Sequence, residues 1–264
     1  MRFGPAGYPL EDKTPLGALN TVRNLGLDAL EMEFVHGVNI SETKAKEIGL
    51  IAKNKDIRLS AHAPYYVSFN SDKEESRKNS VDYVMDTVRA AHNLGAYLVV
   101  IHAASYGKSP KTATDNVTRG LLKCRELMDD EKINDVILGI ETMGKKGTWG
   151  TLDEISEVVD NVPNSHPVLD VAHVHARSGG CLKSEKDMRD ITDRFFVLSG
   201  EIAHFHISCI KYGDKGEISH LPLVAKDPNM QYLANVLRDV KKDCTFICES
   251  PLREKDAIVF RNMF

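Results

Sequence analysis

The stretch Asn93-Leu94-Gly95-Ala96-Tyr97-Leu98-Val99-Val100-Ile101-His102 decides how the rest of the chain is read. Upstream of it, Lys73–Asn93 carries the apolar spacing of an amphipathic helix. Gly95 stands where a helix C-cap calls for a left-handed residue, and Tyr97–His102 then reads as a short buried strand. A helix that turns tightly into an apolar strand is the recurring element of parallel α/β proteins. This strand also ends on a histidine, which an apolar core does not call for.

The same pattern recurs in both directions. Arg2–Phe3 reads as a short first strand, and Ala29–Phe34, Ile57–His62, Val136–Glu141, Pro167–Asp170, Ala203–Ser208 and Thr245–Glu249 read as the others. Helical patterns fill the gaps at Glu42–Lys53, Ala113–Asp129, Leu152–Val159, Glu185–Val197 and Met230–Lys241. Eight strand signals in 264 residues leave 33 residues per unit. That spacing suits a (β/α)8 barrel, which typically holds about 250 residues. The competing open, doubly wound sheet normally carries a glycine-rich phosphate loop after its first strand. Phe3-Gly4-Pro5-Ala6-Gly7 is a poor version of one. No linker or shift in composition marks a boundary, so the expectation is one α/β domain over residues 1–264, a TIM barrel.

Composition narrows the function classes. With 42% hydrophobic and 27% charged residues the chain is neither disordered nor collagen-like. Met1–Leu10 lacks the apolar run of a signal peptide, and no stretch approaches a membrane span of about 20 apolar residues. The five cysteines are odd in number and contain no C-x-x-C pair, which argues against a disulfide framework or a cysteine zinc site. A cytoplasmic protein without membrane partners is expected. A net charge of −4 means that any affinity for nucleic acid must come from local positive charge.

In a TIM barrel the active site is built at the C-terminal ends of the strands. Strands three to eight end at or beside His62, His102, Glu141, Asp170, His206 and Glu249, all of them metal-ligand types. Three histidines and three carboxylates facing one pocket cannot stay uncompensated, because the carboxylates repel one another. Divalent cations resolve the repulsion, and a mixed nitrogen and oxygen set suits Zn²⁺ or Mn²⁺ better than Ca²⁺. His173, three residues past Asp170, and His220, in the long segment after strand seven, extend the cluster if their loops fold over it. His36, His92, His166, His175 and His204 read as structural or surface residues.

At this point the chain resembles a known family. Ser60-Ala61-His62-Ala63-Pro64-Tyr65, Ile101-His102, Gly139-Ile140-Glu141-Thr142-Met143-Gly144, Leu169-Asp170-Val171-Ala172-His173 and Cys248-Glu249-Ser250-Pro251 occur in the order seen in endonuclease IV. The resemblance extends from about Leu27 to Pro251. It implies a xylose-isomerase-like barrel that cleaves double-stranded DNA 5′ to an abasic site, using two or three zinc ions, with manganese possible at one site. His62, His102 and Glu141 would hold the first ion. Glu141, acting as bridge and catalytic carboxylate, would hold the second with Asp170, His206 and Glu249. His173 and His220 would hold the third. The family has an aspartate two residues before that last histidine, where this chain has Ile218; Glu217, one residue away, or Asp214, four away, would then substitute for it from a mobile loop.

For the DNA itself, Tyr65, Lys145 and Arg177 are the candidate contacts, supported by Lys108, Lys111, Lys146, Lys183, Lys211 and Lys215 on the same loops. Tyr65 would line the pocket of an extruded sugar, and Trp149 would wedge into the duplex or cap the barrel. A monomer suffices for this chemistry. The alternative is a mononuclear sugar isomerase or epimerase on the same barrel, with Glu141 and Glu249 moving a proton between adjacent carbons. Such an enzyme needs the Glu, Asp, His, Glu set but has no use for His62, His102 or His220.

Overall fold

The structure is a computed structural model that describes residues 1–107 and 109–264. Its main sheet has eight strands: β1 (Arg2–Pro5), β2 (Ala29–Glu33), β3 (Arg58–His62), β4 (Leu98–Ile101), β5 (Ile137–Glu141), β6 (Ser165–Asp170), β7 (Ile202–Ile207) and β8 (Asp243–Cys248). The order across the sheet is β1-β8-β7-β6-β5-β4-β3-β2. At its two ends, Ala6 bridges Glu31 in parallel, so the chain just past β1 is tied to β2. Gly4 permits that approach, because a Cβ there would lie 1.7 Å from the Ala29 carbonyl oxygen.

By its internal contacts the chain divides into two compact units. One holds Met1–Glu31, Thr142–Lys146 and Val168–Phe264; the other holds Met32–Glu141 and Gly147–Pro167. In the first, β1, β8, β7 and β6 pair in parallel register. Phe3, Phe246 and Phe205 are aligned on three adjacent strands, and their rings stack at 5.2 and 4.9 Å. Phe260, from the helix Glu254–Arg261, and Phe264 close over them edge-on. Successive strand residues face opposite ways, so His204 and His206 point to the other side of β7 from Phe205. In the second unit, β3, β4 and β5 pair in parallel beneath the helices Glu74–Leu94 and Pro110–Asp130.

The strand assignments made from sequence hold to within two residues at each end. Gly95 is the left-handed cap of Glu74–Leu94, with φ 64°. Three regions differ. The residues after β6 form a helix, Val171–Arg177, rather than a loop, because Asp170 caps it by accepting from the His173 N–H. After β7 the chain makes a hairpin, Cys209–Gly213 paired with Gly216–Leu221, and not a mobile loop. Trp149 neither wedges nor caps: it is wholly buried, and its indole N–H donates to Thr114 Oγ1 at 2.9 Å. No helix among the described residues is long and apolar enough to cross a membrane.

Four of the five cysteines are buried and Cys181 is exposed. Burial pushes the thiol of Cys124 up to about 12 and that of Cys209 up to about 11. A thiol reagent applied to the native protein at pH 8 should therefore modify Cys181 and reach the others only on unfolding, a count read by intact mass. Phe246→Ala should cost about 3–5 kcal/mol in urea unfolding, because it empties the centre of the aromatic stack.

Candidate metal centre

The residues expected at the strand ends form three groups, each held by its own local chemistry. In the second unit, His102 Nε2 lies 2.7 Å from Glu141 Oε2 and His62 Nε2 lies 3.5 Å from the same oxygen. His62 Nδ1 is 2.7 Å from the Ala63 carbonyl. A carbonyl can only accept, so Nδ1 carries the proton and the Nε2 lone pair faces Glu141. Tyr65 lies over this group, stacked on His102 at 5.1 Å and 53% exposed, so its ring also faces solvent.

The second group belongs to β6, β7 and the residue after β8. Asp170 and His206 are register partners, and His206 Nδ1 lies 3.3 Å from Glu249 Oε1. Asp170 has two tasks. Its Oδ1 caps the following helix at 2.6 Å from the His173 N–H. Its Oδ2 is buried and has no hydrogen-bond partner among the described residues. Leaving a buried carboxylate oxygen unsatisfied is costly. A cation ligated by Oδ2 accounts for it, and the mixed His and carboxylate donors around it suit zinc.

The third group is His173 and His220. His173 Nδ1 donates to the Thr142 carbonyl at 2.9 Å, and His220 Nδ1 lies 3.3 Å from the Glu249 carbonyl and 3.1 Å from Ser208 Oγ. The two Nε2 atoms stand 3.2 Å apart, a separation that a shared proton or a bound cation can bridge. Glu217 Oε2 stands 3.5 Å from His173 Nε2.

Glu31 was not expected at the site. It is fully buried on β2, 3.0 Å from His206 Nε2 and 3.2 Å from His204 Nε2. Burial raises its carboxyl pKa, but the attraction of His206 and the hydrogen bonds from both histidines outweigh that and hold it well below the usual carboxylate range. By engaging Nε2 of His206, Glu31 leaves Nδ1 for the side of Glu249. The signal was present in Ala29-Leu30-Glu31-Met32-Glu33, where acids alternate with apolar residues in a strand that a parallel core should make apolar on both faces.

The expected DNA contacts divide. Lys145, Lys146, Lys183, Lys211 and Lys215 are exposed. Arg177 instead donates to the carbonyl of Lys145 at 2.5 Å and so braces the loop that carries that lysine. Lys111 is paired with Asp115 at 2.7 Å along its own helix. Lys108 lies outside the described residues. His175 is structural: its Nδ1 accepts from the Leu182 N–H, so its Nε2 donates to Asp227 at 2.7 Å.

Asp170→Asn should separate the two tasks of that residue, since an amide still caps the helix. Unfolding of chelator-treated protein should move by less than about 1 kcal/mol. The thermal stabilisation gained on adding zinc, worth about 2.7 kcal/mol at a hundred times Kd for one site, should shrink. An unchanged zinc response would contradict the reading of Asp170 as a ligand.

The chain is 34% identical to an uncharacterized protein of Methanocaldococcus jannaschii, over 99% of this chain and 96% of that one. It is 30% identical to a probable endonuclease 4 of Malacoplasma penetrans over 120 residues, which are 43% of this chain and 40% of that protein. Among solved structures, endonuclease IV from Thermus thermophilus superposes with a TM-score of 0.78 at 20% identity, covering 100% of this chain and 98% of that one. A D-tagatose 3-epimerase-like protein superposes almost as well, with a TM-score of 0.76 at 20% identity, covering 100% and 95%. Residues 19–260 match the Xylose isomerase-like TIM barrel family, and the chain belongs to that family.

Proposed function

We propose that this protein is a metal-dependent phosphodiesterase, a DNA-repair endonuclease that cuts double-stranded DNA 5′ to abasic sites. One observation carries the reading: the chain has more ligand side chains than a one-metal enzyme can use. His62 and His102 converge on Glu141, and His173 and His220 turn their Nε2 atoms toward one another. A mononuclear isomerase needs only its Glu, Asp, His, Glu set and has no use for His62, His102 or His220. The sequence relatives named endonuclease 4 point the same way.

On this reading His62, His102 and Glu141 would hold one zinc ion, and Asp170, His206 and Glu249 would hold another. Manganese is an alternative at one site. Bound there, the ions would supply a water of lowered pKa and neutralise charge on the phosphate oxygens. The side chains do the rest. Glu31 fixes the ring of His206, and the Ala63 and Thr142 carbonyls fix the rings of His62 and His173. The half-exposed face of Tyr65 offers an extruded abasic sugar an aromatic wall. Lys145, Lys146, Lys211 and Lys215 offer the phosphate backbone its positive charge, with binding that weakens as salt rises.

The test uses protein purified without chelator or affinity histidines. Elemental analysis should find two to three zinc ions per chain, and the protein should nick a duplex beside a single abasic site. Glu141→Gln should lower nicking by at least a thousandfold, about 4 kcal/mol at the transition state, while the protein stays folded. One exchangeable manganese or magnesium ion with intact abasic DNA would overturn the proposal in favour of a sugar isomerase or epimerase.

A further inference from the structure

In the turn that follows the candidate ligand Glu249, an arginine fills a glycine position. The Lys255 N–H returns to the Leu252 carbonyl at 3.0 Å, closing a turn in which Arg253 is the first of the two central residues. Arg253 has φ 43° and ψ −112°. Those are the dihedrals of that position in a type II′ turn, where glycine fits because it has no Cβ. Any other residue there is strained, and it persists only where its surroundings over-determine the backbone. They do so here. Glu254 and Asp256, both buried, open the final helix. Glu254 accepts from the Leu10 N–H at 3.1 Å, while Asp256 accepts from the Leu223 N–H at 2.8 Å and from the Ser250 hydroxyl. These bonds hold the turn, and none of them calls for an arginine.

The Arg253 side chain is exposed, and its charge is unanswered. Its Nη1 donates to the Tyr8 carbonyl at 2.7 Å, and among the described residues no carboxylate pairs with it. Bracing Tyr8 does not account for the guanidinium, because the chain on either side is already tied. The Gly7 N–H donates to the Glu31 carbonyl at 3.0 Å, and the Leu10 N–H is the one held by Glu254. What the bond to Tyr8 does fix is where the guanidinium stands. Tyr8 lies three residues past β1 and Arg253 lies four past Glu249, so both segments leave the C-terminal strand ends that carry the candidate ligands. A planar fork of N–H donors with a permanent positive charge suits the paired oxygens of a phosphate.

We propose that Arg253 is a phosphate-binding residue of the substrate site, kept in a glycine conformation because its guanidinium is needed there. The inference rests on the phosphodiesterase reading above for a DNA backbone as the source of that phosphate; a phosphorylated sugar would present the same group. The test uses the full-length Glu141→Gln protein, so that bound DNA is not cut. Fluorescence anisotropy follows its binding to a duplex with one abasic site across a salt series. Adding Arg253→Gly should weaken binding at least tenfold at low salt. It should also lower the slope of log K against log salt by about 0.9, the share of one phosphate. Adding Arg253→Lys keeps the charge and should keep the slope. Arg253→Gly should melt above Arg253→Ala, since both lose the guanidinium and only glycine relieves the turn.

Unchanged affinity and slope in a folded Arg253→Gly would overturn the proposal, as would a glycine variant that melts below the alanine one. Ribose 5-phosphate, titrated by calorimetry into protein with and without Arg253→Gly, separates this inference from the proposed activity. A protein that binds no duplex but takes up ribose 5-phosphate, at least tenfold more weakly in Arg253→Gly, keeps the inference and overturns that activity. A protein that nicks abasic DNA, and whose Arg253→Gly variant binds it as tightly, does the reverse. A protein that binds neither probe overturns both.

Discussion

A carboxylate with no solvent exposure, held between two histidines, sets the geometry on which much of the first unit depends. Glu31 meets His206 at 3.0 Å and His204 at 3.2 Å, and each contact constrains a different part of the fold. An ionised carboxylate buried alone would cost several kcal/mol, so β2 must sit where β7 can answer it. The backbone of Glu31 is tied as well, since its carbonyl accepts from the Gly7 N–H after β1. One residue therefore links three strands and turns the His206 ring. An apolar residue of similar volume in its place would fill the same space, but nothing would then decide which nitrogen of His206 faces Glu249.

The strand ends were legible in the sequence because two rules coincide there. Parallel strands in this fold are apolar along their length, so a His, Asp or Glu at the end of each stands out as a functional signal. His62, Glu141 and Asp170 are the last residues of their strands, and His102 and Glu249 follow theirs directly. Glu31 was missed because it lies in mid-strand, where an acid has meaning only once its partners on another strand are known. His204, read as structural, turns out to be one of those partners. Trp149 was misread for a related reason: its glycine-flanked setting looks like an exposed loop, while its indole fills the interior and finds Thr114.

The helix after β6 and the hairpin after β7 were harder to read because both depend on a single side chain or a single residue of register. Val171–Arg177 is only seven residues long, too short for a clear apolar period. What starts it is the Asp170 carboxylate, a residue whose ligand character hides its capping role. The same helix carries His173 on its first turn, so the cap also positions a candidate ligand. In the hairpin, counting back two residues from His220 assumes strict alternation. One unpaired residue defeats that count, since Tyr212 pairs with Glu217 and Ile218 is left over.

These local devices bear on a difficulty that the composition poses for the proposed function, how a chain of net charge −4 would handle DNA. Three of its acids, Glu141, Asp170 and Glu249, belong to the candidate ligand groups, so the formal charge includes groups that a bound cation would neutralise. Each divalent ion adds two charges, so two ions would bring the total from −4 to zero and three would make it +2. That change would fall at the strand ends, beside the exposed Lys145, Lys146, Lys211 and Lys215. A field that depends on bound cations is local, and it would act where the proposed phosphate substrate would sit rather than over the whole surface. On the proposed function, metal loading and DNA affinity would be coupled quantities, since the ions that would activate the water would also complete the charge that draws the substrate in.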